Sequence, residues 1–128
     1  MFGQGYAAAS RRYAAIDAGS KVEGATPHQL VKILFDELLL AMDATAIAMR
    51  GGDRAKAFQK QTRALTLLHA LETSLDFEQG GEIAMNLAII YREARRRLLA
   101  AVAENDADKV LSARSIINDI AEAWAQIG

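Results

Sequence analysis

The chain has 128 residues, one proline, no cysteine and a formal net charge of −1, with fifteen basic residues against sixteen acidic ones. That length fits one domain and is too short for two. The missing cysteine excludes disulfides, thiolate nucleophiles and most zinc sites, and the balanced charge excludes a global field toward nucleic acid or anionic lipid.

An apolar fraction of 52% with only 6% aromatic residues, rich in Ala and Leu, predicts helices rather than strands. The start of the sequence lacks the apolar run of a signal peptide, and no segment approaches the roughly 20 apolar residues of a membrane span. The expectation is a cytoplasmic domain without membrane insertion.

Residues 1–25 read as a flexible N-terminal arm in which only Gly5 to Asp17 suits a short helix. Within it Tyr6, Tyr13 and Ile16 make a short amphipathic piece, able to cover an apolar groove or simply to fray. At Thr26 the pattern changes: Thr followed by Pro27 is an N-cap with proline at the first helical position, where its missing N–H costs nothing. The first helix is predicted from Pro27 to about Arg50.

Gly51-Gly52 ends it, and Asp53 caps a second helix from Arg54 to about Leu75. A third begins near Gly81 or Glu82 and carries Ile83, Leu87, Ile90, Ala94, Leu98 and Ala101 at helical spacing. Asn105-Asp106 is both stop and cap. The fourth, Ala107 to Ile127, puts Val110, Ala113, Ile117, Ile120, Trp124 and Ile127 on one face. Four helices of about 20 residues joined by short loops predict an all-α, antiparallel up-down four-helix bundle over 26–128.

The loop LDFEQGGEIAMNL, Leu75 to Leu87, invites three readings: metal loop, phosphate loop or turn. Asp76, Glu78 and Glu82 do not match an EF-hand's alternation, and Glu-Ile follows the glycines where a P-loop needs Lys-Ser/Thr. It is read as a helical connector, with Glu82 at the positive end of the third helix. His28 and His69 lack the acid three residues earlier that a di-iron bundle uses, and no Gly-x-Ser-x-Gly, Gly-x-Gly-x-x-Gly or His-Glu-x-x-His occurs. Neither an enzyme nor a cofactor is expected.

The cluster Arg92, Arg95, Arg96 and Arg97 lacks the basic balance and interleaved aromatics of a nucleic-acid footprint, and reads as a solvated face paired to acids. Arg95 falls among apolar positions, which calls for snorkelling or an acid partner. The surplus is apolar instead. On the first helix Leu30, Leu34, Leu38, Ala41 and Thr45 oppose the polar stripe of Gln29, Lys32, Asp36 and Asp43, while Leu39, Leu40 and Ile47 fall beside that stripe. On the third, Ile89 and Ile90 flank Glu82, Asn86, Glu93 and Arg97. Either a partner groove or the wide buried arc of a bundle corner fits this pattern.

Taken in order, Tyr13 fourteen residues before the proline, ATPHQLVKILFDELL, LDFEQGGEIAMNLAIIY, RRLLAAVAEND and IAEAW resemble the FliS family of flagellin-specific export chaperones. The resemblance covers nearly the whole chain from Tyr13. It implies a bundle with an N-terminal cap that binds the disordered C-terminal segment of flagellin, prevents premature polymerisation, and presents flagellin to the cytoplasmic domain of the export gate. It implies neither cofactor nor catalysis. The other class in play is a regulatory adaptor acting on other flagellar assembly factors, and the oligomeric state is monomer or homodimer.

Carried onto this sequence, Tyr13 and Ile16 match the arm as groove cap and gate-facing surface, and Leu34, Phe35, Leu38 and Leu39 match the apolar run of the first helix. With Met42, Ile89 and Tyr91 these are the expected partner contacts, although Tyr91 and Trp124 also suit packing. After Tyr91 the family often continues with another aromatic, where this chain has Arg92 and Glu93.

Overall fold

The computed structural model describes residues 24–127, and the sequence expectations for the arm, including Tyr6, Tyr13 and Ile16, lie outside the described residues. Four helices follow in order: α1 Pro27–Arg50, α2 Arg54–Thr73, α3 Phe77–Ala103 and α4 Ala107–Ala125. Each starts on a side chain that satisfies backbone N–H groups left open by the first turn. Thr26 accepts from the Gln29 amide at 3.1 Å while the Gln29 side chain accepts from the Thr26 amide at 3.0 Å, a reciprocal capping box with Pro27 in the first turn. Asp53 caps α2, Asp76 caps α3 and Asp106 caps α4.

The three connections are three residues each, so successive helices run antiparallel, and the bundle closes as a ring. α1 packs on α2 and α4, and α3 packs broadly on α4 and more narrowly on α2. The core is mostly aliphatic, with Leu30, Leu34, Leu38 and Met42 of α1 meeting Leu67, Leu68 and Leu71 of α2, Leu98 of α3 and Val110 and Ile117 of α4. Of its few buried polar groups, Thr45 donates to the Ala41 carbonyl at 2.7 Å and Gln61 to the Leu98 carbonyl at 3.3 Å. Thr45 bonds within its own helix and Gln61 reaches across to α3, which avoids the penalty of a stranded polar group.

Three boundaries differ from the sequence expectation, the second helix ending at Thr73 rather than about Leu75. The third helix starts at Phe77 rather than near Gly81, because Asp76 accepts from the Glu78 and Gln79 amides, both at 3.1 Å, and winds a first turn through the Gly-Gly pair. Gly81 then breaks the helix, with φ 51° and ψ −124°. Its neighbour Gly80 lies so close to Ala84 that an added Cβ would sit 2.9 Å from the Ala84 methyl. The glycines therefore bend the helix instead of preceding it. α4 stops at Ala125, two residues short of the expected end.

The arginine cluster does pair with acids. Arg95 and Arg92 share Glu72 of α2 at 3.1 and 3.2 Å, which ties the narrow α2–α3 seam, and Arg96 and Arg97 share Glu93. On the other seams Arg114 meets Asp43 at 2.6 Å and Arg63 meets Glu37 at 3.2 Å.

Candidate functional site

At the end of the bundle where α1 and α3 begin and α2 and α4 finish, the helices do not close. They leave an apolar groove of about 410 Å³. Val31 and Phe35 of α1, Ala84 and Tyr91 of α3, and Leu75 of the α2–α3 connection form its floor and one side. Ile83 and Leu87 of α3 face Ile120, Trp124 and Ile127 from the end of α4. Ser74, Asp76 and Gln79 supply the polar rim on one side.

The groove follows from local sequence. Past the break at Gly81, α3 turns small residues inward at Ala84 and Ala88, which leaves room that a Leu would fill. On α4 the apolar face continues past Ile117 to Ile120 and Trp124, and Ile127 follows just after the helix ends, beyond the point where opposing side chains fill the core. Ile83 stays 72% exposed and Ile127 60%, a high solvent exposure for residues at core-type positions. Water over such a surface is released when a partner covers it.

One wall is fixed by contacts between the chain's first and last helices. The His28 imidazole stacks on the Trp124 indole, with centroids 4.7 Å apart and planes at 11°. His28 Nε2 lies 3.0 Å from the Trp124 carbonyl and donates to it, since a carbonyl only accepts. The Trp124 indole N–H donates in return to the His28 carbonyl at 3.1 Å. The imidazole thereby adds a second partner to a carbonyl in the last turn of α4 that also accepts from the Ile127 amide at 3.2 Å.

Tyr91 forms part of the floor. Its residue is 2% exposed, its ring lies tilted against Phe35 at 6.5 Å, and burial pushes its phenol above the ordinary range. Its hydroxyl has no hydrogen-bond partner among the described residues.

The expected partner contacts separate into three groups. Leu34, Leu38 and Met42 are fully enclosed between helices and offer no surface to a partner in this conformation; their stripe faces the inside of the ring, so they are core. Phe35 and Tyr91 are buried yet line the groove floor. Leu39 is half-buried against the core, and Ile89 is 61% exposed on the outer side of α3, away from the groove lining. Leu40 and Ile47 are exposed on α1.

The groove residues that the sequence reading did not single out as contacts are Val31, Leu75, Ile83, Leu87, Ile120 and Ile127. All but Val31 and Leu75 had been marked as helix-face positions, and the signal that could have separated them from core is their place at helix ends, beside Gly80-Gly81 or past the last buried turn. Among the described residues no group of three or more His, Asp or Glu is placed to hold a metal ion, and no helix is long and apolar enough to cross a membrane.

An apolar groove on a helical bundle, walled by clasped aromatics and rimmed by a few polar groups, has the form of a surface suited to an apolar polypeptide segment. The particular family follows from comparison with known proteins. The family model described as "Flagellar protein FliS" matches residues 9–128, and the chain belongs to the FliS family, which is not an enzyme family. It is 36% identical over 118 residues to the flagellar secretion chaperone FliS of Salmonella typhimurium, covering 91% of this chain and 87% of that one. It is 32% identical to the Escherichia coli protein of the same name over the same shares, and 28% identical over 115 residues to that of Vibrio cholerae, covering 90% and 85%.

Proposed function

We propose that this chain is a cytoplasmic flagellar export chaperone. It binds the disordered C-terminal segment of flagellin, prevents premature polymerisation, and delivers flagellin to the cytoplasmic domain of the flagellar type III export gate. The observation that supports this reading is the apolar groove between α1, α3 and α4 in a chain of the FliS family. A disordered tail that must later assemble carries apolar residues in need of cover, and the groove suits an amphipathic segment that presents them at i, i+3, i+4 and i+7.

Ordering such a tail costs about 2–5 kcal/mol or more, so contact must extend beyond the groove. The exposed Leu40, Ile47 and Ile89 supply apolar surface for a segment that wraps the bundle. The residues preceding α1, with Tyr13 and Ile16, act in this reading as groove cap and gate-facing surface.

Calorimetric titration with the C-terminal segment of the flagellin from the same organism, at fixed salt, tests the reading. Saturable 1:1 binding with a negative heat-capacity change is expected. No binding by protein shown to be folded removes it, and favours an adaptor for other flagellar assembly factors.

A further inference from the structure

Tyr91 is the exception in an otherwise apolar floor. Its ring is buried against Phe35, and its hydroxyl has no partner among the described residues. No polar side-chain atom that is wholly shut from solvent lacks a hydrogen bond among the described residues, so this hydroxyl keeps contact with the groove's water. A purely structural aromatic at this place would pack as well without the oxygen.

A segment seated in the groove displaces that water. If it lays a methyl group over Tyr91, the O–H is stranded and affinity falls; if it presents an acceptor, the lost hydrogen bond is replaced. A neutral acceptor suits the groove best, since among the described residues no cationic side chain lines it to balance an anion. Amide carbonyls meet the requirement, either from a side-chain amide or from the open last turn of a bound helix.

We propose that the Tyr91 hydroxyl is the specificity-determining polar anchor of the groove, donating a hydrogen bond to an amide carbonyl of the apolar segment seated there. This rests on the flagellin-tail reading. It makes the groove selective for apolar segments that carry a carbonyl at one defined place, over those that are apolar throughout.

The test is Tyr91→Phe, which removes only the oxygen. Titrated with the flagellin C-terminal segment, the variant is expected to bind about three- to tenfold more weakly than wild type. Its melting temperature should be unchanged or higher, because an unpartnered hydroxyl has been removed from the floor. An amphipathic peptide whose apolar face is entirely Leu should bind the variant at least as well as wild type, a reversal that simple loss of packing does not produce.

Replacing each Asn and Gln of the segment with Leu identifies the source of the carbonyl. One replacement that reproduces the loss, without adding to Tyr91→Phe, assigns a side-chain amide; no such replacement assigns the backbone. Equal affinity of variant and wild type for the segment overturns the anchor and leaves the chaperone reading intact. Absence of binding by wild type removes that reading first, and the anchor with it.

Discussion

His28 and Trp124 stand 96 positions apart, yet each donates a hydrogen bond to the other's backbone carbonyl while their rings stack at 4.7 Å. The pair joins the first turn of α1 to the last turn of α4 and holds the indole as a groove wall. His28→Ala removes the stack and the imidazole's hydrogen bond to the last turn of α4. It is expected to lower stability by about 1–2 kcal/mol, from one hydrogen bond and one aromatic contact. Urea unfolding measures this, and the emission of the single tryptophan should shift to the red as the indole loosens. His28→Gln, which places an N–H where Nε2 stood, should recover part of the loss.

Gly81 adopts φ 51° and ψ −124°, a region closed to residues with a Cβ, although nothing lies within 4 Å of where that atom would stand. The constraint is backbone conformation alone. Gly81→Ala is expected to cost about 1–3 kcal/mol. Thermal unfolding checks this; an unchanged melting temperature would show that the break relaxes without strain.

Ile83 is exposed and lines the groove, so its replacement separates binding from folding. Ile83→Asp should leave the melting temperature within a degree or two of wild type. It should weaken the flagellin segment about tenfold or more, because a contact of roughly 1.5–3 kcal/mol is replaced by a desolvated charge. Calorimetry with the same segment is the measurement.

Hydrogen bonds from Arg96, then Arg97, hold the Glu93 carboxyl down to about 2, against an ordinary 4.5. A carboxyl lowered by folding adds stability above its unfolded value, and that contribution is lost as pH falls through the folded one. The loss therefore belongs between about pH 4.5 and pH 2. Glu93→Gln should show a shallower fall of stability across that window than wild type, by denaturant unfolding at stepped pH, and the two should converge at its lower end.

Periodicity and caps made most of the fold legible: Thr26-Pro27, Asp53 and Asp106 are local signals, and the core stripe of Leu30, Leu34 and Leu38 repeats at helical spacing. The start of α3 was harder to read because Gly80-Gly81 carries a strong stop signal, while the cap at Asp76 needs only two amides to wind a turn before it. The groove is only partly visible in the sequence. Periodicity puts Leu34 and Leu38 in the core stripe and the family resemblance makes them partner contacts, whereas Ile83, Ile120, Trp124 and Ile127 read as ordinary helix-face positions. Periodicity states which side of a helix faces inward, but not whether a neighbour extends far enough to cover it.

The groove draws its walls from Val31 and Phe35 near one end of the helical sequence and from Trp124 and Ile127 near the other. During synthesis, then, no nascent chain that stops short of the last turn of α4 holds the indole wall or its histidine partner, however well α1 to α3 have already formed. The groove is complete only once the last turn of α4 is in place. A chain that stops before Trp124 lacks the groove's indole wall.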